Sequence, residues 1–361
     1  MVQLFGRSWT EQEIKEYVGS LSQIGGVRLS VLDDGNSRGV RVADFETGSG
    51  LSFTVLLDRG MDIGAAKYKG ASLSWESTVG PAHPHRWEKG GLGWLRTFHG
   101  GLVAGCGLTS AGAPCVDEGE ELGLHGRLNH LSASNVWADG GWRNDEHEMW
   151  VRGRMRETVI FGENITLTRR VSANMGESRL FIRDTVANEG LKTTPHMMLY
   201  HINFGFPLLA EGSELIGPSK TVTARDGVAS PGLDHHNIYE APIVGYKEQC
   251  FYHDMAADAE GFVTVLLANR AYNNGEGLGV YIKYRQAELP RFTQWKNVMA
   301  GHYTTGFEPA NCWVEGRDKD RARGILQFLE PGDERQYMVE IGVLANNAEI
   351  DEAAAKAKAL V

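Results

Sequence analysis

Two stretches decide the fold: Ile165-Thr166-Leu167-Thr168-Arg169-Arg170-Val171 and, nine residues further on, Leu180-Phe181-Ile182-Arg183-Asp184-Thr185-Val186. Both alternate apolar and polar residues with a period of two, and both are rich in β-branched side chains. That is the pattern of a half-buried strand, whose successive side chains point to opposite faces. Working outward, the same pattern returns at Val27 to Val31, at Val40 to Phe45, at Phe53 to Leu57, at Phe262 to Ala268, at Gly279 to Tyr284 and at Gln336 to Leu344. Turn residues such as Asp33-Asp34-Gly35-Asn36 separate the runs, as hairpins require. Strands therefore dominate from residue 27 to 345. No regular alternation of strand and helix appears, which disfavours a doubly wound parallel sheet.

Helical signals are confined to the two ends. Thr10-Glu11-Gln12-Glu13 has the form of a capping box, and Ile14, Tyr17, Val18 and Leu21 follow at helical spacing until Gly25-Gly26. Glu349 to Leu360 is alanine-rich and helical in propensity. The economical reading is an all-β protein: one large β-sandwich over 27–345, a helical arm at 1–26 and a closing helix at 346–361.

Bulk properties narrow the function. The formal net charge of -10 argues against nucleic acid as a partner, because phosphate binding needs a basic face. No window is long and apolar enough to span a membrane, and Met1 to Arg7 lacks the apolar core of a signal peptide. The expectation is a cytoplasmic chain with a small polar partner. Cys106, Cys115, Cys250 and Cys312 are widely spaced with no C-x-x-C, so they read as reduced and structural.

Several motifs fail on inspection. Gly35-Asn36-Ser37-Arg38-Gly39 matches the hydrolase G-x-S-x-G pattern, but it leads into strand residues rather than a helix, so it reads as a hairpin turn. His83-Pro84-His85 and His235-His236 lack the helical spacing or cysteine partners of a metal site and read as surface histidines. No phosphate-binding glycine loop is present.

Four stretches concentrate titratable residues in apolar or glycine-rich surroundings: Phe98 to Leu102, Leu124 to His130, Met197 to Pro207 and Thr305 to Cys312. His201 and Asn203, two apart in an apolar run, share one strand face. Glu308, between Phe307 and Pro309, is expected to be partly buried and so to need a partner or a raised pKa. His125-Gly126-Arg127 is expected to set a histidine and a guanidinium on one strand face, with glycine admitting a ligand. For each of these residues a purely structural role fits the local sequence as well.

The run Asp184-Thr185-Val186-Ala187-Asn188-Glu189-Gly190, then Pro195, then Leu199-Tyr200-His201-Ile202-Asn203-Phe204, resembles the central strand pair of the aldose 1-epimerases. His125-Gly126-Arg127 is similar to that family's H-G-x element, and Gly306-Phe307-Glu308-Pro309 to its late glutamate strand. Leu57-Asp58-Arg59-Gly60-Met61-Asp62-Ile63-Gly64, with Trp295-Lys296, points to the branch called DUF4432. The resemblance implies a galactose mutarotase-like β-supersandwich and ring-opening chemistry without metal or organic cofactor. It implies Glu308 as base and His201 as acid. His125, His99 and Arg127 are then expected to orient sugar hydroxyls, with Arg59, Asp62 and Asn203 in support and Trp75 and Trp295 against the sugar face. The family's early Asn-Arg element is missing in its usual form, which leaves its job to Arg59 or Arg127. A carbohydrate-binding or sensing protein, or another sugar isomerase or lyase, are the alternatives on this scaffold. A free sheet edge would also allow a homodimer.

Overall fold

A computed structural model describes residues 1–361. Two large antiparallel sheets pack face to face. In the twelve-stranded sheet the order runs from Ser219–Ala224 at one edge through Gln249–Met255, Arg291–Met299, His302–Ala310, Thr194–Phe204, Val103–Leu108, Asp62–Tyr68, Leu51–Leu56 and Arg41–Glu46 to Gly26–Val31, with Gln327–Leu329 paired to Thr194–Phe204 and Ala71–Ser72 to Asp62–Tyr68 off this path. The eight-stranded sheet runs from Ser134–Arg143 through Glu146–Thr158, Asn164–Asn174, Arg179–Asn188, Glu334–Leu344, Leu278–Arg285 and Phe262–Asn269 to Glu214–Ile216.

The alternation read from the sequence decides which side chains fill the space between. Ile165, Leu167, Val171, Leu180, Ile182 and Val186 all point inward and join a cluster of 55 buried apolar residues. Arg169 falls on the same inward face and is fully buried. It is tolerated because its guanidinium donates to Asp184 at 2.7 Å and to the Gly60 carbonyl at 3.0 Å, while Tyr200 donates to the same carboxylate at 2.7 Å. A buried charge without such partners would cost several kcal/mol.

The strand Thr194–Phe204 shows how the larger sheet serves two cores. Met198, Tyr200, Ile202 and Phe204 face the sandwich interior. Met197 and Leu199 face the other way and pack in a second cluster with Trp94, Phe98, Cys106, Ala310 and Cys312. His201 and Asn203 continue that outward row. These two candidate site residues therefore lie on the outer face of the larger sheet.

The ends differ in detail from the sequence pattern. A hairpin of Val2–Leu4 and Arg7–Trp9 precedes the first helix, and Val2 and Leu4 bury into the main core. The capping box forms, with Thr10 and Glu13 each bonded to the other's backbone N–H. The helix spans only Glu11–Tyr17, because Val18 turns to extended backbone, and Leu21–Gln23 forms a separate short turn. The closing helix, Asn347–Lys358, is capped by Asn346 and buries Ile350, Ala354 and Ala357. No helix is long and apolar enough to cross a membrane.

Candidate active site

Glu308 stands directly across from His201, because Ile202 pairs with Phe307 and Leu199 with Ala310 in the antiparallel register. Cross-strand neighbours on one face lie within reach of each other, and here His201 Nε2 and Glu308 Oε1 are 3.3 Å apart. Two residues along, Asn203 is opposite Gly306, which is opposite Trp295 on the next strand. Gly306 is what leaves room for the pair. A Cβ there would lie 3.0 Å from Glu308 Oε1, 3.1 Å from His201 Cε1 and 3.2 Å from Trp295 Cε3.

Asn203 fixes the histidine. Its amide nitrogen is surrounded by carbonyls, donating to Gly101 at 3.2 Å and to the His201 backbone at 3.0 Å. Its Oδ1 is thereby turned to His201 Nδ1, 2.5 Å away. Since Oδ1 can only accept, Nδ1 carries a hydrogen, and Nε2 is the atom left to take or give a proton toward Glu308.

The surroundings are apolar. His201 meets Phe98, His125 and Trp295 with ring centroids 5.5, 5.5 and 5.3 Å away. Burial pushes His201 down to about 4, against the Asn203 hydrogen bond, which favours the charged ring. Burial pushes Glu308 up to about 8, opposed by the charge of Arg225. Both shifts have the same cause, the cost of charge in a dry site, and they leave the pair holding one proton between its two facing atoms near neutral pH.

Above the pair opens a cleft of about 450 Å³, walled by Trp75, Trp94, Phe98 and Trp295 and reached also by His125, Arg225, Glu248 and His302. Trp75 and Trp295 meet edge to face at 6.3 Å, and Trp295 Nε1 donates to Glu248 at 2.8 Å. The 3-10 turn Gly93–Arg96 delivers Trp94, whose indole donates to Asn129 at 3.0 Å.

Five of the residues singled out from the sequence thus meet at the cleft: Glu308, His201, His125, Trp75 and Trp295. Asn203 stands behind the pair, bonded to His201, and Arg127, His99, Arg59 and Asp62 stand elsewhere. His125-Gly126-Arg127 is a turn rather than a strand, with His125 and Gly126 both at positive φ, 57° and 75°. The turn sends His125 into the cleft and Arg127 away, to Glu157 at 3.1 Å and Glu120 at 3.4 Å. Gly126 is required by chain packing instead of ligand approach, since a Cβ would collide with the Ser110 carbonyl. His99 is buried behind the cleft wall, its ring against Gly101, with neither ring nitrogen hydrogen-bonded. Burial and the nearby Arg59 hold it well below the usual histidine range.

Arg59 is fully buried and braces loops, donating to the carbonyls of Ala82 at 3.0 Å and Thr97 at 2.7 Å. Asp62 accepts from the Gly105 N–H at 2.7 Å and lies 3.7 Å from Arg169; burial pushes it up to about 7. Neither Arg59 nor Arg127 lines the cleft, so neither takes over the job of an early Asn-Arg element there. His236 is half-buried rather than on the surface, with Nδ1 3.1 Å from Gln294 Oε1. His83 and His85 pack ring against ring at 4.5 Å, and Gly35–Ser37 is a turn between strands. All four cysteines are free.

The family model described as "Domain of unknown function (DUF4432)" matches residues 37–343. The chain belongs to the DUF4432 family. Among solved structures, it is similar to a "putative aldose 1-epimerase" from Klebsiella pneumoniae, with 22% identity, 98% of this chain and 95% of that one covered, and a TM-score of 0.88. A galactose mutarotase-like protein from Clostridium acetobutylicum matches at 11% identity and a TM-score of 0.63, covering 90% of this chain and 99% of its own. The galactose 1-epimerase from Lactobacillus acidophilus matches at 12% identity and a TM-score of 0.55, with 89% and 99% covered. These likenesses establish the galactose mutarotase-like fold of this DUF4432 protein. No curated protein matches the chain in sequence.

Proposed function

We propose that this DUF4432 protein is a sugar 1-epimerase, interconverting the α and β anomers of an aldose or aldose derivative. The observation that carries the reading is the His201 Nε2–Glu308 Oε1 pair, 3.3 Å apart at the floor of an aromatic-walled cleft. Anomerisation needs one group to take the proton of the anomeric hydroxyl and another to give one to the ring oxygen, and both to reverse on closure. A pair sharing one proton meets that need without net gain or loss.

In the forward step, Glu308 removes the O1 proton as the C1–O5 bond breaks, and His201 Nε2 delivers its proton to O5. An open-chain aldehyde results. After rotation about C1–C2, O5 attacks the other face of the carbonyl, returns its proton to His201, and O1 recovers a proton from Glu308. Burial favours the proton on Glu308. Sugar hydroxyls lying against the pair would supply the dipoles that bring the carboxylate and imidazolium form within reach. General acid–base catalysis of this kind supplies roughly 10²–10⁴-fold, and holding the ring against Trp75 and Trp295 adds to it.

Saturation-transfer NMR between anomers, over a panel of neutral and acidic sugars, tests the reading. Accelerated exchange for at least one sugar is expected. Binding without acceleration for any member would move the assignment to a carbohydrate-binding or sensing protein.

A further inference from the structure

Arg225 directly follows the edge strand Ser219–Ala224 and reaches into the cleft. It is the only arginine or lysine among the cleft residues. Its side chain is 26% exposed. Its guanidinium is held from one side: Nε donates to Asp226 Oδ2 at 2.9 Å, and Nη1 to Cys250 Sγ at 3.0 Å. The other oxygen of Asp226 is occupied by the N–H groups of Val228 and Ala229, at 2.9 and 3.0 Å. Burial pushes the Cys250 thiol up, so that partner is neutral and leaves the charge in place. Nη2 has no protein acceptor, and Glu248, a second carboxylate at this end of the cleft beside Asp226, accepts from Trp295 Nε1 through one oxygen.

The guanidinium is ion-paired with Asp226, yet it keeps donors left over at the cleft, and a buried or half-buried donor is satisfied by an acceptor, here one the ligand can supply. A hydroxyl of a neutral sugar needs a donor but no charge, whereas a carboxylate or phosphate matches the planar fork in charge and geometry. The spacing fits one sugar. Cys250, on which the guanidinium rests, lies two strands from Glu308 across the Arg291–Met299 strand and two residues along, which is about 12 Å between backbones at the usual strand spacing and rise. Trp295 stands between them on the same face, and the charge of Arg225 is felt at Glu308, so a pyranose lying over the indole would reach from one to the other.

Resting on the reading of the cleft as a sugar site, we propose that its ligand is an acidic sugar, whose anionic group is bound by Arg225 while its anomeric carbon lies at Glu308 and His201. Carboxylate and phosphate share the chemistry, and the test separates them.

The full-length protein and its Arg225→Gln and Arg225→Lys variants are titrated by calorimetry with glucose, glucuronate and glucose 6-phosphate, with melting curves confirming that each is folded. A charge-assisted contact of this kind predicts that one of the two anions binds at least about tenfold tighter than glucose. That ratio narrows with added salt, collapses toward one in Arg225→Gln, and survives in part in Arg225→Lys, which also carries the test if the glutamine variant fails to fold. Equal binding of all three sugars, no binding of either anion, or a preference that persists in Arg225→Gln overturns the proposal. Anomer exchange on the same samples separates the two claims. Selective binding of an anion without exchange sinks the epimerase reading and leaves the acidic ligand. Exchange and binding of glucose alone does the reverse.

Discussion

Replacing Gly306 by alanine separates the site from the fold. The new methyl would sit 3.0 Å from Glu308 Oε1, 3.1 Å from His201 Cε1 and 3.2 Å from Trp295 Cε3, all closer than ordinary van der Waals contact. Each neighbour is a side chain, so each must shift by a few tenths of an ångström. Overpacking of this size costs about 1–3 kcal/mol. Alanine in a strand recovers about 0.5–1 kcal/mol of backbone entropy relative to glycine. The net destabilisation is then between about 0 and 2.5 kcal/mol, well within what a folded domain tolerates. The proton-transfer geometry is less forgiving, since a misplacement of about 1 Å can cost 10²-fold in rate. Gly306→Ala should therefore melt close to wild type while anomer exchange falls by about 4- to 10-fold, read by saturation-transfer NMR beside a thermal melt. A folded variant with exchange within twofold of wild type would refute the claim that this gap is part of the site.

Further outcomes follow from the same geometry. Asn203→Ala strands His201 Nδ1–H in a buried position and should cost about 1–3 kcal/mol of stability, together with at least a tenfold loss of exchange; an unchanged exchange rate would show that the ring needs no such fixing. Exchange should be bell-shaped in pH, because the pair works only while it holds one proton. The limbs belong near 4 and 8, with His201 and Glu308 as their origin; a rate rising steadily through pH 9 would contradict this. Glu308 has its folded pKa above its unfolded one, so the folded chain binds the extra proton and stability from this group falls as pH rises from about 4.5 to 8. Glu308→Gln removes that loss, and denaturant titrations should show the variant gaining on wild type between pH 6 and 8; a constant difference would argue against a raised Glu308. Arg127→Ala breaks its bond to the buried Glu157 and should lower stability by about 1–3 kcal/mol with sugar affinity unchanged in titrations; a lost affinity would return Arg127 to the cleft.

The sandwich was legible because its signal is local: a period of two places Ile165, Leu167 and Val171 on one face whatever the rest of the chain does. His201, Asn203 and Glu308 stood out for the same reason, as polar residues on one outward row of apolar strands. What the local pattern cannot carry is which face of a sheet a loop covers. Arg127 and His125 are two apart, yet the positive φ at His125 and Gly126 sends them in opposite directions. Arg59 and Asp62 carry the marks of site residues, but their partners are Ala82, Thr97 and Gly105, set by contacts 23 to 43 residues away. Trp94 and Arg225 gave no sequence signal. One sits in a short 3-10 turn, the other in a turn after an edge strand, and only the closing of the cleft brings them to the pair.

The most direct test of the central claim compares wild type with Glu308→Gln on the sugar that binds best. The amide keeps the shape of the carboxyl group but cannot accept the anomeric proton. The account predicts that the variant binds this sugar within a few-fold of wild type while anomer exchange falls by at least about 10²-fold. Full exchange in Glu308→Gln would contradict it.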